Sequence, residues 1–154
     1  MMVKQANSRS CFVCGIENPV GLHLNFYETS PGEVTVYFSA PEQYQSYPGI
    51  LHGGIIAAIL DEAAGRAHIR GNHPRFMFTA KLEIHYRKIV PVGQPLTIVG
   101  RAGKVRTRIA ESWAGIYGSD GTLLAEASAL YMDIPNQPDA TTFESFGWKV
   151  YPDE

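Results

Sequence analysis

Two short runs near the start of the chain alternate apolar and polar residues. Leu22-His23-Leu24-Asn25-Phe26-Tyr27 and Glu33-Val34-Thr35-Val36-Tyr37-Phe38-Ser39 both carry the period of two that turns one face of a strand toward a core. Ser30-Pro31-Gly32 between them has turn chemistry, so the pair predicts a β-hairpin. Ala40 to Leu51 has no period and is punctuated by Pro41, Pro48 and Gly49. The pattern then changes. Gly53 to about Arg70 is apolar almost all round and predicts a helix, which Gly71-Asn72-His73-Pro74 would stop. Alternation returns over Phe76–Ile89, Leu96–Val105, Arg108–Tyr117 and Leu123–Asp133, with breaks at Pro91-Val92-Gly93 and Ser119-Asp120-Gly121. Residues 1–10 read as a loose tail, Cys11–Gly21 as turns, and the aromatic stretch FESFGWKVYP after Pro135 follows no period.

The order is thus two strands, one long helix and four strands. A helix that is apolar nearly all round needs to be surrounded. The expected class is α+β, a curved antiparallel β-sheet wrapped around one long central helix. We expect one domain over 1–154, with tails at 1–10 and about 136–154. The outer face and edges of such a sheet favour pairing with a second copy.

Composition narrows the picture by exclusion. Of 154 residues, 45% are hydrophobic, enough for a sizeable core, and the formal net charge is −2. That balance gives no reason to expect a nucleic-acid partner or a polybasic membrane contact. No apolar run reaches membrane-spanning length, and MMVKQANSRS lacks a signal-peptide apolar region, so the expectation is a soluble, cytoplasmic protein.

Chemistry concentrates in Gly49–Gly65, GILHGGIIAAILDEAAG. The first turn of a helix offers unsatisfied N–H groups and the positive end of the macrodipole. Gly53 and Gly54 remove side-chain bulk there, so a ligand oxygen can approach. They read either as an oxyanion hole or as an accommodation to close packing. Glu62 has Arg66 four residues on, the favourable order for an ion pair, and reads as a helix-surface or structural pair and as second-choice acid. Asp61 has Gly65 at i+4 and Ala57 at i−4, with no basic partner. A carboxylate on such a face is accessible, and burial without a cation would raise its pKa, as suits a general base or nucleophile. The bland alternative is that a backbone N–H or a hydroxyl satisfies it. His52 and Asp61 are nine residues apart, roughly 13–14 Å along a helix. One carbonyl cannot meet both in one chain, so an enzymatic site needs Asp61 of one chain to face Gly53-Gly54 of another.

His52-Gly53-Gly54 followed by Asp61 resembles the HGG-x6-D signature of hotdog-fold thioesterases of the PaaI-like type, in the 4-hydroxybenzoyl-CoA thioesterase superfamily. CFVCGIENPVGLHLNF, FTAKLEIHYRKIVPVGQPLTIVGR and DGTLLAEASALYM resemble further segments of that family, so the likeness spans roughly Cys11–Met132. It implies a hotdog fold, a homodimer or dimer of dimers, and hydrolysis of acyl-CoA without a cofactor. It also implies that the Gly54 N–H polarises the thioester carbonyl, that Asp61 activates water or attacks directly, and that His52 shapes the entrance. Gln45 or Ser46 stands where relatives commonly carry Asn, and Thr79 matches a hydroxyl residue that lies near the carboxylate in relatives.

Three other features compete for a role. Cys11-x-x-Cys14 invites zinc, but a structural site wants four ligands and only two cysteines exist; His23 or a second chain would have to add to them. We expect reduced, structural thiols and no metal. Arg101, Lys104, Arg106 and Arg108 cluster about one predicted hairpin and are either CoA-phosphate ligands or a solvated strand face. Tyr44 and Tyr47 line an acyl pocket or pack their loop; His68, His73 and His85 have no metal spacing. Two alternatives to hydrolysis remain within the same fold. One is a non-catalytic acyl-CoA or small-ligand binding protein, and the other an acyl-thioester hydratase or dehydratase.

Overall fold

The computed structural model describes residues 1–70 and 75–153. The predicted hairpin forms from β2 (Tyr27–Ser30) and β3 (Glu33–Ser39), with Gly32 in the left-handed region at φ +77°. The helix α1 runs Gly53–Arg66, shorter than the expected reach to Arg70, and Ala67 is its C-cap. The stop signals expected at Gly71–Pro74 lie outside the described residues. Four strands follow: β4 (Met77–Tyr86), β5 (Pro95–Val105), β6 (Ile109–Tyr117) and β7 (Leu123–Asp133). A two-residue strand β1 (Val3–Lys4), a 3-10 turn at Glu42–Tyr44 and a short helix α2 (Ala140–Ser145) complete the described elements.

All pairings are antiparallel, in the order β1-β2-β3-β5-β6-β7-β4, and the curved sheet carries α1 on its inner face. Alternation decides which residues face the helix. Val34 and Val36 of β3, Ile98 of β5, Ala114 and Ile116 of β6, and Ala125 and Ala127 of β7 meet Ile56, Ile59, Leu60, Ala63 and Ala64 of α1, all buried. Small residues set how close the helix lies. A Cβ on Gly100 would stand 2.0 Å from the carbonyl oxygen of Ala63, so β5 carries glycine where α1 touches its backbone.

Two expectations fail at the N-terminal end. Leu22–Tyr27 does not form a strand; only Tyr27 belongs to one. Leu22, Leu24 and Phe26 are buried as the alternation predicts, but their run bonds to irregular backbone instead of a ladder: Leu22 N–H donates to Phe12 O and Leu24 N–H to Val13 O. Residues 1–10 are not loose either. Gln5, Asn7 and Ser8 are buried, and the Asn7 side-chain amide donates to the carbonyls of Cys14 and Leu24 at 2.9 and 3.0 Å. The C-terminal stretch returns to meet them. Asn7 bridges Lys149, and Arg9 N–H donates to Phe146 O at 2.9 Å.

Candidate active site

Asp61 leaves α1 at its seam with β4 and β7. Its Oδ1 accepts from Thr79 Oγ1 at 2.7 Å and from the Tyr131 hydroxyl at 3.1 Å, and that hydroxyl also donates to the Asp61 main-chain oxygen at 2.5 Å. The other carboxylate oxygen, Oδ2, has no hydrogen-bond partner among the described residues. Two hydroxyls therefore satisfy half of the group, as the bland alternative supposed, and half is left for a ligand. Burial, and then the Asp61 charge beside it, push the Tyr131 hydroxyl far above its ordinary pKa, so it stays a donor. Tyr131 was not singled out in the sequence. Its signal lay in the register: Ala125, Ala127, Ala129 and Tyr131 share the buried face of β7, and Tyr is the only member with a polar handle.

A cavity of about 350 Å³ opens beside this carboxylate. Asp61, Thr79 and Tyr131 form one wall. Ile69, Phe76, Met77, Phe146 and Trp148 give the cavity an apolar wall, and Glu62, Arg66 and Arg75 bring charge to its lining. Phe76 packs against Phe143, Phe146 and Trp148 with ring centroids 5.1, 5.8 and 5.3 Å away. The aperiodic aromatic tail is thus a wall of the cavity, which no local pattern could reveal.

The glycine entrance is a separate place. None of residues 45–54 lines that cavity. The extended His52 caps α1, and its Nδ1 accepts the Gly54 N–H at 2.9 Å. The Gly53 N–H has no partner among the described residues, while its carbonyl accepts from the Tyr86 hydroxyl of β4 at 2.8 Å. Gln45 and Ser46 serve the preceding loop: Gln45 Oε1 accepts Gly49 N–H at 3.1 Å, and Ser46 N–H donates to Ile50 O at 2.8 Å. Tyr44 packs this loop, its hydroxyl donating to Val20 O at 2.8 Å, and Tyr47 is exposed. The sequence-selected residues fall into two groups, Asp61 with Thr79 and His52-Gly53-Gly54 with the loop.

Glu62 is paired with Arg66 but not on the surface. Its Oε1 accepts from Arg66 Nε at 3.1 Å and from a terminal guanidinium nitrogen at 3.0 Å, and the Arg66 side chain is only 3% exposed. The guanidinium lies over Phe26 and Trp148 and bonds Ala6 O. Burial pushes Glu62 up to about 7 against the pull of Arg66, with Cys14 adding to the rise. Of the basic cluster, Arg101 is engaged by Glu33 at 3.0 Å and lies over Trp113, whereas Lys104 and Arg106 stand exposed near the tip of the β5–β6 hairpin. His68 bonds Glu111 O at 2.8 Å and His85 meets Glu83; His73 lies outside the described residues.

No helix among the described residues is long and apolar enough to cross a membrane. The chain is 27% identical over 138 residues to the acyl-coenzyme A thioesterase THEM4 of Rattus norvegicus, a match covering 88% of this chain and 59% of that protein. It therefore spans little more than half the length of that curated relative. A solved thioesterase superfamily protein, RHA08564, superposes with a TM-score of 0.74 at 30% identity over 81% of this chain and 61% of its own. The smu.793 protein of Streptococcus mutans, solved bound to acetyl CoA, shares the fold with a TM-score of 0.67 at 21% identity, covering 77% of this chain and 94% of its own. The sequence model of the thioesterase superfamily matches residues 48–125, from the loop before α1 into β7. With its single long helix embraced by an antiparallel sheet, this chain has the hotdog fold and belongs to the thioesterase superfamily.

Proposed function

We propose that the chain hydrolyses acyl-CoA thioesters to a free acid and CoA, with Asp61 as general base. The observation that carries this reading is the Asp61 carboxylate itself. Thr79 and Tyr131 fix one of its oxygens and leave the other without a partner among the described residues, beside a cavity with an apolar wall. That wall suits an acyl group, and the cavity volume falls in the range of small-molecule sites. Asp61 takes a proton from water, the hydroxide oxygen bonds to the thioester carbonyl carbon, and negative charge moves to the carbonyl oxygen. Collapse expels the CoA thiolate, which recovers the proton.

The oxyanion is received at a helix N-terminus, where N–H groups and the macrodipole favour negative charge. In the present arrangement His52 Nδ1 occupies the Gly54 N–H. The substrate oxygen takes that place, with the free Gly53 N–H beside it. Because this entrance lies far along α1 from Asp61, the donors come from a second copy. The outer edge of β4, unpaired among the described residues, offers the surface for such a homodimer.

The test is a panel of acyl-CoAs with thiol release as readout. Asp61→Asn lowers turnover by about 10²–10⁴-fold, the usual contribution of a positioned base. Full activity in Asp61→Asn would refute the mechanism, and saturable CoA binding with no thiol release from any acyl chain would replace hydrolysis by ligand binding. Mixing Asp61→Asn with Gly54→Val restores activity if each site draws on two chains, because a mixed dimer rebuilds one intact site.

A further inference from the structure

The Cys11–Cys14 pair packs against α1 and lines the cavity beside Asp61. Cys14 is buried, Cys11 half-buried, and Cys11 Sγ lies 3.4 Å from Glu62 Oε2, across 51 residues of sequence. The sulfur atoms and a Glu62 oxygen all lie within 4.8 Å of one another. From these we infer that Cys11, Cys14 and Glu62 form a three-ligand site for a thiophilic divalent cation of the Zn²⁺ class, with its fourth position toward the cavity.

The loop is shaped for thiolates. Residues 11–15 close a single tight turn in which Gly15 N–H donates to Cys11 O at 2.8 Å. A Cβ on Gly15 would stand 2.3 Å from that same oxygen, so the turn requires glycine. It aims the Val13 N–H at Cys11 Sγ, at 3.4 Å. A donated N–H stabilises a thiolate, and here the thiolate is a metal ligand. Ser8 braces the turn, accepting Cys11 N–H at 3.1 Å and lying 3.6 Å from Cys14 Sγ.

Glu62 completes the set. Arg66 takes up Oε1 alone, which orients the carboxylate and leaves Oε2 toward the sulfurs, the outer-shell arrangement that metal-binding carboxylates use. In tetrahedral coordination two thiolate sulfurs sit about 3.8 Å apart, so the cluster closes on an ion with rotamer adjustment and no backbone movement. Charge fits as well. Two thiolates and a carboxylate beside one guanidinium leave −2, which a divalent cation neutralises. Binding displaces the two thiol protons and any proton on Glu62. His23, the ligand considered from sequence, is elsewhere, with its ring bonded to Asn18 O.

The test uses the whole chain, stripped of metal by a chelator under reducing conditions and titrated with Co²⁺ and then Zn²⁺. The expected result is one equivalent per chain, a thiolate-to-cobalt charge-transfer band that Zn²⁺ abolishes, and both thiols shielded from a thiol reagent until the metal is removed. Cys11→Ser diminishes the band. Glu62→Gln keeps it but weakens binding by at least the roughly 10–100-fold that loss of an outer-shell partner costs. Thiols that react freely at stoichiometric Zn²⁺ would overturn the site, as would a Cys11–Cys14 disulfide with no metal uptake on reduction. Should the Cys11→Ser chain not fold, thiol protection in the unaltered protein decides.

Discussion

Gly100→Ala isolates the contact that seats α1 on the sheet. The added Cβ would lie 2.0 Å from Ala63 O, 2.6 Å from its carbonyl carbon and 3.0 Å from Val34 Cγ2. Carbon and carbonyl oxygen approach to about 3.3–3.6 Å even in favourable contacts, so the shortfall exceeds about 1 Å. Both Gly100 and Ala63 present backbone, so no rotamer can yield, and the helix must withdraw. Overpacking that side chains can absorb costs about 1–3 kcal/mol; here we expect about 3 kcal/mol or more. For a chain of this length each kcal/mol moves the melting temperature by roughly 2–4 °C, which predicts a fall of about 6–12 °C. Gly53→Ala is the internal control. Its Cβ would meet only the Tyr86 ring at 3.6 Å, ordinary contact, in a helical turn where alanine is favoured. Thermal melts followed by circular dichroism, with urea titrations alongside, compare the two. A Gly100→Ala melt within about 2 °C of the parent would refute this seating of the helix.

Further outcomes concern the site. Tyr131→Phe removes both hydroxyl contacts to Asp61 and should cost about 1–3 kcal/mol in urea titrations. As a positioning residue it should lower kcat more than it raises KM; the reverse pattern would place it in substrate binding. Trp148→Ala opens the apolar wall and should raise KM for long or aryl acyl groups while sparing acetyl-CoA, so a uniform effect across the panel would contradict the wall's role. The raised pKa of Glu62 predicts a pH dependence of stability. The folded carboxyl, facing Arg66, Cys11 and Cys14, holds its proton up to about 7 against an ordinary 4.5. The fold binds more protons in that window, so stability falls as pH rises through it, by up to about 3 kcal/mol. Urea titrations of metal-free protein at about pH 5 and about pH 7.5 read this out, and Glu62→Gln should remove the component; a pH-independent difference between the two proteins would contradict it.

What the sequence could convey followed the range of its signals. Period-two alternation with a strong turn placed β7 at Leu123–Asp133, the same bounds as observed, because neighbouring strands and Ser119-Asp120-Gly121 make that hairpin a local matter. The same alternation over Leu22–Tyr27 reported burial and not pairing, since a buried run can bond to an irregular loop as readily as to a strand. The contact of Asp61 with Thr79 was reachable through family likeness and that with Tyr131 through register alone. Glu62 shows the limit. Spacing found its partner Arg66, but burial depends on what covers the helix, and the cover comes from Cys11, Cys14, Ala6 and Trp148 at both ends of the chain.

That cover couples two events that a static picture keeps apart. Residues 7–9 and 146–149 hold one another through a few backbone bonds, and Lys4 meets Asp153 at 2.7 Å. Such a clasp, outside the main ladders, is the kind of segment that opens locally without global unfolding. Phe146 and Trp148 leave the cavity whenever it does. A molecule that fills the cavity binds only the latched form, so the latch sets part of its affinity, and the molecule in turn slows hydrogen exchange at Asn7, Arg9 and Lys149. Amide exchange at three residues far from Asp61 in the sequence thereby becomes a gauge of occupancy.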